Sequence, residues 1–384
     1  MIYADNAATT SLDPDAFEAM KPWLFENFGN ASQPYSFARP AKKALQEARS
    51  MIASCIGALP EEIFFTSGGT ESDNWAIKES GTAQSRKRQI VTSAFEHHAV
   101  LHSCQTMEHL GYPVSYLYPT KEGIITPRTL REAITGTQKT TGKTSNESVG
   151  LVSVMYANNE IGTIQPIREL CGIAHAAGAL FHTDAVQAVG HVPLNVQELN
   201  IDMLSASAHK FHGPKGIGFL YVRKGVSIAP YLDGGAQEYS LRAGTENIAS
   251  IVGMAVALKN VCRTLKEDIP YVMGLEEMLL RELNESGISF VHNGAGSARL
   301  PGLISLSFPG MEGEMILHRM DLMGICISTG SACNSQNTQI SHVLQTIGLE
   351  THIATGTIRI SLGKENTPEE VSQIVFALRK ILLL

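Results

Sequence analysis

Ser205-Ala206-Ser207-Ala208-His209-Lys210-Phe211-His212-Gly213-Pro214-Lys215-Gly216 follows the apolar run Ile201 to Leu204 and brings hydroxyls, imidazoles and a lysine into a glycine-containing turn. A lysine at the end of an apolar run, beside groups able to bind an anion, can lose its proton and attack a carbonyl carbon, as in a Schiff base with an aldehyde cofactor. A solvated surface lysine needs no such neighbours. On its own the cluster also fits a lysine in a glycine-rich loop that meets only solvent, and two further segments decide between these readings.

The first is Thr66-Ser67-Gly68-Gly69-Thr70-Glu71-Ser72-Asp73-Asn74, which follows a strand and opens a helix. Glycines there let backbone N–H groups converge, and the start of a helix favours an anion. Thr70 adds a hydroxyl. A plain strand-to-helix turn with a hydroxyl cap fits this segment equally well. The second is Phe181-His182-Thr183-Asp184-Ala185-Val186-Gln187. A carboxylate delivered by a strand end can pair with a protonated pyridine nitrogen and keep the ring an electron sink. Gln187, one helical turn on, is within reach of a ring hydroxyl. Taken alone, Asp184 reads better as a helix N-cap. The order of the three segments, phosphate turn, acid, then lysine, points to pyridoxal 5'-phosphate (PLP). Asn158-Asn159-Glu160-Ile161-Gly162 adds a polar turn, and Glu96-His97-His98 adds an imidazole able to lie on the ring and move protons. Neither His97 with His98 nor His209 with His212 reads as a metal site, since the spacings are loose and no acids cluster nearby in the sequence.

Short apolar runs (Ile63 to Phe65, Gln89 to Thr92, Val114 to Leu117, Leu151 to Met155, Leu180 to Thr183, Gly218 to Val222) read as strands, most of them separated by helical patterns such as Arg168 to Ala177. That alternation predicts an α/β protein with a mostly parallel sheet covered by helices, and ligands outside the carboxyl ends of the strands. Gly136 to Gly150 is polar and aperiodic and reads as a surface loop. A long helix starts at Ile248, and a final helix starts with Thr367 as N-cap, Pro368 at N1 and Glu370 at the capping-box position. Residues 13–254 are expected to form a large domain, and residues 255–384 with the N-terminal segment 1–12 a smaller α+β one.

Composition narrows the function classes. The 384 residues carry a net charge of -7, which argues against a nucleic-acid footprint. The six cysteines include no C-x-x-C and read as reduced thiols of a cytoplasmic protein. The N-terminus has no basic and apolar leader pattern, and no apolar run reaches the roughly 18–20 residues of a membrane span.

With these motifs in hand the chain resembles the PLP-dependent cysteine desulfurases of the NifS/IscS type, in the class V aminotransferase group. The match also takes in Tyr3 to Thr10, Gly234 to Asn247, Ser328-Thr329-Gly330-Ser331-Ala332-Cys333 and Ile358 to Gly363. The resemblance implies a PLP-dependent transferase of fold type I. It implies that Lys210 holds the cofactor as a Schiff base, that Asp184 pairs with its pyridine nitrogen and Gln187 with its ring oxygen, and that Thr70, with Gly69, Ser207 and His209, holds its phosphate. His97 would stack on the ring and shuttle protons. Asn159 would contact the ring oxygen and the substrate carboxylate, Arg359 would clamp that carboxylate, and Asn30 would assist. Thr245 would reach the phosphate of a partner subunit, so a homodimer with shared sites is expected.

Cys333, in a run of small residues, would take the sulfur of L-cysteine as a persulfide and leave L-alanine. The sulfur would pass to an acceptor protein, a scaffold or thiolation enzyme, in iron-sulfur cluster assembly or thio-cofactor synthesis. A C–S lyase acting on cystine or selenocysteine, or a non-catalytic binding partner, are the alternatives. Cys326, seven residues earlier, reads as a buried strand thiol. One departure from the family pattern stands out. Gly29-Asn30-Ala31-Ser32-Gln33-Pro34-Tyr35 lacks the usual Gly-Asn-Pro and places Tyr35 near the usual histidine position.

Overall fold

The structure is a computed structural model that describes residues 1–82, 88–136, 148–329 and 340–383. Its strands in chain order are β1 (Ile2–Tyr3), β2 (Ile63–Thr66), β3 (Gln89–Ser93), β4 (Val114–Leu117), β5 (Val149–Ser153), β6 (Leu180–Asp184), β7 (Met203–Ser207), β8 (Gly218–Val222), β9 (Val291–Asn293), β10 (Leu303–Ser307), β11 (Ile325–Cys326) and β12 (Thr357–Ser361). Seven of them form one sheet in the order β2-β8-β7-β6-β5-β3-β4. Only β8 runs against its neighbours, so β2 again points the same way as β7. Strands β2, β3, β5, β7 and β8 are buried along their whole length, as Ile, Val, Phe and Leu runs are when helices cover both faces.

The crossovers run through helices such as Gly69–Thr82, His98–His109 and Ile167–Ala176. The carboxyl ends of β2, β3, β5, β6 and β7 therefore share one edge. The sheet is mostly parallel, as the alternation predicts. One strand is displaced: the run read as Leu151 to Met155 begins at Val149 and ends at Ser153. Val154 and Tyr156 still donate singly to His182 O and Asp184 O, at 3.1 and 2.8 Å, while the chain peels away toward Asn159.

A second hydrophobic cluster gathers on β10 and β12 of an antiparallel sheet in the order β12-β10-β9, and on the two-residue parallel pair of β1 and β11. The helix Pro368–Leu382 covers it. Thr367 accepts from Glu370 N and the Glu370 carboxylate reaches back, the expected capping box. Cys326 on β11 is half-buried, not buried as expected. The 38-residue helix Ile248–Glu285 serves both clusters. Ile251 to Val261 enter the core of the large sheet, Val272 to Leu283 enter the second, and Pro270 lies between the two stretches.

Candidate active site

Sheet register alone assembles most of the site. Thr66 at the end of β2 and Ser207 at the end of β7 are both register partners of Gly218 on the strand between them. A Cβ on Gly218 would come within 2.4 Å of Ala206 O and 2.7 Å of Gly68 Cα, so only glycine lets the turn after β2 lie this close to β7. On the other side of β7, Asp184 is the register partner of Ser205. The phosphate turn, the acid and the lysine are thereby placed on adjacent strand ends, around a cavity of about 370 Å³.

Gly69, Thr70, Ser207 and His209 line one part of this cavity. A Cβ on Gly69 would sit 2.4 Å from Val186 Cγ2, and one on Gly68 3.4 Å from Ser207 Oγ. The turn is thus a cradle that side chains would fill, at the start of a 14-residue helix, next to two hydroxyls. Those features fit a phosphate. The His209 imidazole is driven down to about 4 by burial first, then by the charges of Lys210 and Lys215. It is neutral at pH 7, and its Nδ1 lies 3.2 Å from Thr9 Oγ1.

Asp184, Gln187, His97 and Lys210 line the next part. Burial raises the Asp184 pKa, while the charges on His97 and Lys210 and the 2.9 Å bond from Val186 N to Oδ1 draw it back. A buried carboxylate of this kind suits a protonated ring nitrogen. His97 caps the helix His98–His109, its Nδ1 accepting from Ala99 N at 3.2 Å, which leaves the ring proton on Nε2. Burial lowers its pKa, against the attraction of Asp184. Lys210, in the turn Ala208–Lys210 after β7, donates to Ala7 O at 2.6 Å and Ala8 O at 2.9 Å, and Gln187 Nε2 donates to Ala7 O at 2.9 Å. The donor set as a whole fits PLP: an amine, a ring-nitrogen partner, a ring-oxygen donor and a phosphate cradle in one cavity.

Asn159 and Arg359 line the far wall. Asn158 is fully buried and serves the turn itself, accepting from Glu160 N and Ile161 N. Arg359 is 7% exposed. Its Nη1 donates to Asn159 O and its Nη2 to Asp5 Oδ1, both at 2.8 Å, and its buried Nε has no partner among the described residues.

Three expected residues are not in this group. Asn30 does not line the cavity and accepts instead from Ser32 N at 2.9 Å. Thr245, expected at the phosphate of a partner subunit, is exposed and does not line the cavity of its own chain. Cys333 lies outside the described residues, although Ser328 and Thr329, just before it, line the cavity.

Other residues enter that the sequence reading gave no role. Asp5, Ala7 and Ala8 form a wall from the N-terminal segment. Asp73 also lines the cavity and is almost wholly buried, its pKa pushed well up by burial and then by Asp184. Acids do cluster near His97, contrary to the sequence reading: Asp73, His97 and Asp184 place ligand atoms within 4.8 Å of one another. They meet only because β2, β3 and β6 end at one edge. Asp73 follows Gly69 by four residues on one helix, so a face count would have put it beside the turn.

Residues 2–374 match the aminotransferase class-V family. The chain belongs to that family. It is 47% identical to the cysteine desulfurase IscS of Dictyoglomus turgidum, over 99% of this chain and 94% of that one. It is 46% identical to the cysteine desulfurase IscS of Methanosarcina thermophila, over 97% and 90%. A solved NifS-like protein superposes with a TM-score of 0.91 at 37% identity, covering 100% of this chain and 99% of the other. SspA in complex with cysteine does so at 0.82 and 34%, covering 96% and 100%. The fold expected from the family resemblance, a PLP-dependent transferase of type I, is the fold of this chain.

Proposed function

We propose that this protein is a PLP-dependent cysteine desulfurase that converts L-cysteine to L-alanine and keeps the sulfur on Cys333 as a persulfide. The observation that carries the proposal is the convergence of Lys210, Asp184, the Gly69 turn and Arg359 on one cavity. When bound, PLP supplies an electron sink conjugated to the substrate α-carbon. Thr70, Ser207 and His209 hold its phosphate, Asp184 and Gln187 its ring, and Lys210 anchors it. Arg359 and Asn159 take the substrate carboxylate. A guanidinium grips it in a fork that an ammonium does not match. His97, its Nδ1 engaged by Ala99 N, is a proton carrier through Nε2 at the ring face.

The Cys333 thiolate forms a bond to the substrate sulfur while the substrate Cβ–S bond breaks. That electron pair stays on carbon and takes a proton, so the products are alanine and a Cys333 persulfide, with no external oxidant. Thr329 lines the cavity, and the four residues from it to Cys333 can span about 14 Å of chain at most.

Further parts of the proposal are a homodimer, a cytoplasmic location, a sulfur-acceptor protein in iron-sulfur or thio-cofactor synthesis, and a split into a cofactor domain and a smaller domain. In support of the homodimer, Phe17, Leu24, Phe25, Phe28, Tyr35 and Phe37 are all exposed on one stretch of chain, an apolar surface of the kind that subunits bury. Thr245 is exposed and free to serve a partner's phosphate. Asn30 lies within the same aromatic stretch.

Cys333→Ala tests the reaction. The expected variant keeps its PLP absorbance and loses alanine production from L-cysteine. Full alanine and sulfide production by the variant would favour a C–S lyase instead.

A further inference from the structure

We propose that Asp5 is a positioning residue that aims the Arg359 guanidinium at the substrate carboxylate, an inference that rests on the desulfurase reading above. Asp5 is fixed by backbone before its side chain acts. It forms a parallel bridge with Ser361, Ala4 O accepts from Ser361 N at 2.8 Å, and Asn6 N donates to Ser361 O at 3.2 Å. Ser361 and Arg359 are two apart on β12, so their side chains leave the same face of the strand. The Asp5 carboxylate therefore meets the guanidinium, and Oδ1 accepts from Nη2 at 2.8 Å.

Arg359 is held at other points as well. Nη1 donates to Asn159 O, and its main chain exchanges two bonds with Ser328, at 2.7 and 3.0 Å. With one proton of each terminal nitrogen engaged, Nε–H and the remaining terminal protons are left for a carboxylate. Nε is buried and lacks a partner among the described residues. A buried donor of that kind gains its full bond when a ligand arrives. Asp5 lines the same cavity, with its side chain 19% exposed. An arginine tied at two corners keeps its fork open in one direction, and the ordering cost is met before substrate arrives.

The test uses PLP-loaded protein and L-alanine as the probe, because alanine carries the carboxylate and no sulfur. Its binding, followed by cofactor absorbance and by calorimetry, reads the carboxylate grip even if L-cysteine is not desulfurated; absence of alanine production from cysteine would reject the proposed function and leave this test standing. Asp5→Ala is expected to raise the alanine Kd and the cysteine KM together by about tenfold, the size of one lost charged hydrogen bond. PLP content and kcat should stay within about twofold of the parent. Asp5→Asn keeps an acceptor at Oδ1 and should recover most of the loss. An unchanged alanine Kd in Asp5→Ala, or an Asp5→Asn no better than Asp5→Ala, overturns the proposal. If Asp5→Ala fails to hold PLP, Asp5→Glu decides: its extra methylene displaces the guanidinium and should weaken alanine binding, and parent-like binding would count against the proposal.

Discussion

Asp184 stands opposite Ser205 in the parallel pairing of β6 with β7, two residues before Ser207 and five before Lys210. That register sets how far the carboxylate proposed to pair with the ring nitrogen can be from the amine. Asp184→Asn keeps the shape and the bond from Val186 N but removes the charge. Turnover is expected to fall about 10²-fold or more, as when a preorganised electrostatic partner is lost. Thermal stability should hold or rise, because a buried charge that burial disfavours has been removed. Steady-state kinetics and a melting curve on the same preparation check both; parent-like turnover would show that Asp184 does not serve the ring.

Gly69 and Gly172 differ in what a methyl group would meet. On Gly69 it would overlap Val186 Cγ2 at 2.4 Å, inside the turn proposed to hold the phosphate. On Gly172, within the helix Ile167–Ala176, it would meet nothing within 4 Å. Gly69→Ala is expected to weaken PLP binding at least about tenfold, by displacing the turn. Gly172→Ala should leave PLP affinity alone and add up to about 1 kcal/mol of stability, as alanine does in a helix interior. PLP titration and denaturant midpoints separate the two effects. Equal PLP affinity in both variants would show that the Gly69 turn does not hold the phosphate.

Glu96 carries a pH signature. It is fully buried, and burial raises its pKa to about 8, against bonds from Ser93 Oγ and Met155 N. The folded protein therefore holds this proton where the unfolded chain has released it. Its contribution to stability is complete below about 4.5, the ordinary glutamate value, and is lost as pH rises toward about 8. Glu96→Gln cannot ionise, so the variant should lose less stability than the parent between pH 5 and pH 8, a window set by the ordinary and shifted values. Parallel melting series at several pH values read this out. Identical slopes would mean that Glu96 does not titrate in that window.

The mostly parallel sheet, and the meeting of the Gly69 turn, Asp184 and Lys210 at one cavity, could be read from the chain because they rest on local signals. Strand runs end in glycine or acid turns, the capping box at Thr367 is a four-residue pattern, and Asp184 and Lys210 sit at ends that periodicity marks. What was missed depends on distant pairing. Asp5 becomes a site residue only through its bridge to Ser361, and Asp73 meets His97 only because three strands end at one edge. The end of β5 was misplaced because Val154 and Met155 are as apolar as the strand, yet they are buried in the departing loop. Nothing along the chain sets Asn30 apart from a carboxylate ligand; its bond to Ser32 N is a turn geometry that only coordinates reveal.

The helix Ile248–Glu285 acts as a shared axle. One continuous backbone feeds both hydrophobic clusters, and the span between Val261 and Val272 links the residues it gives to each. Pro270, which cannot supply a helical N–H, sits within that span. A change of helix angle in that span would be passed to both clusters at once, the one that holds β7 before Lys210 and the one that holds β12 with Arg359.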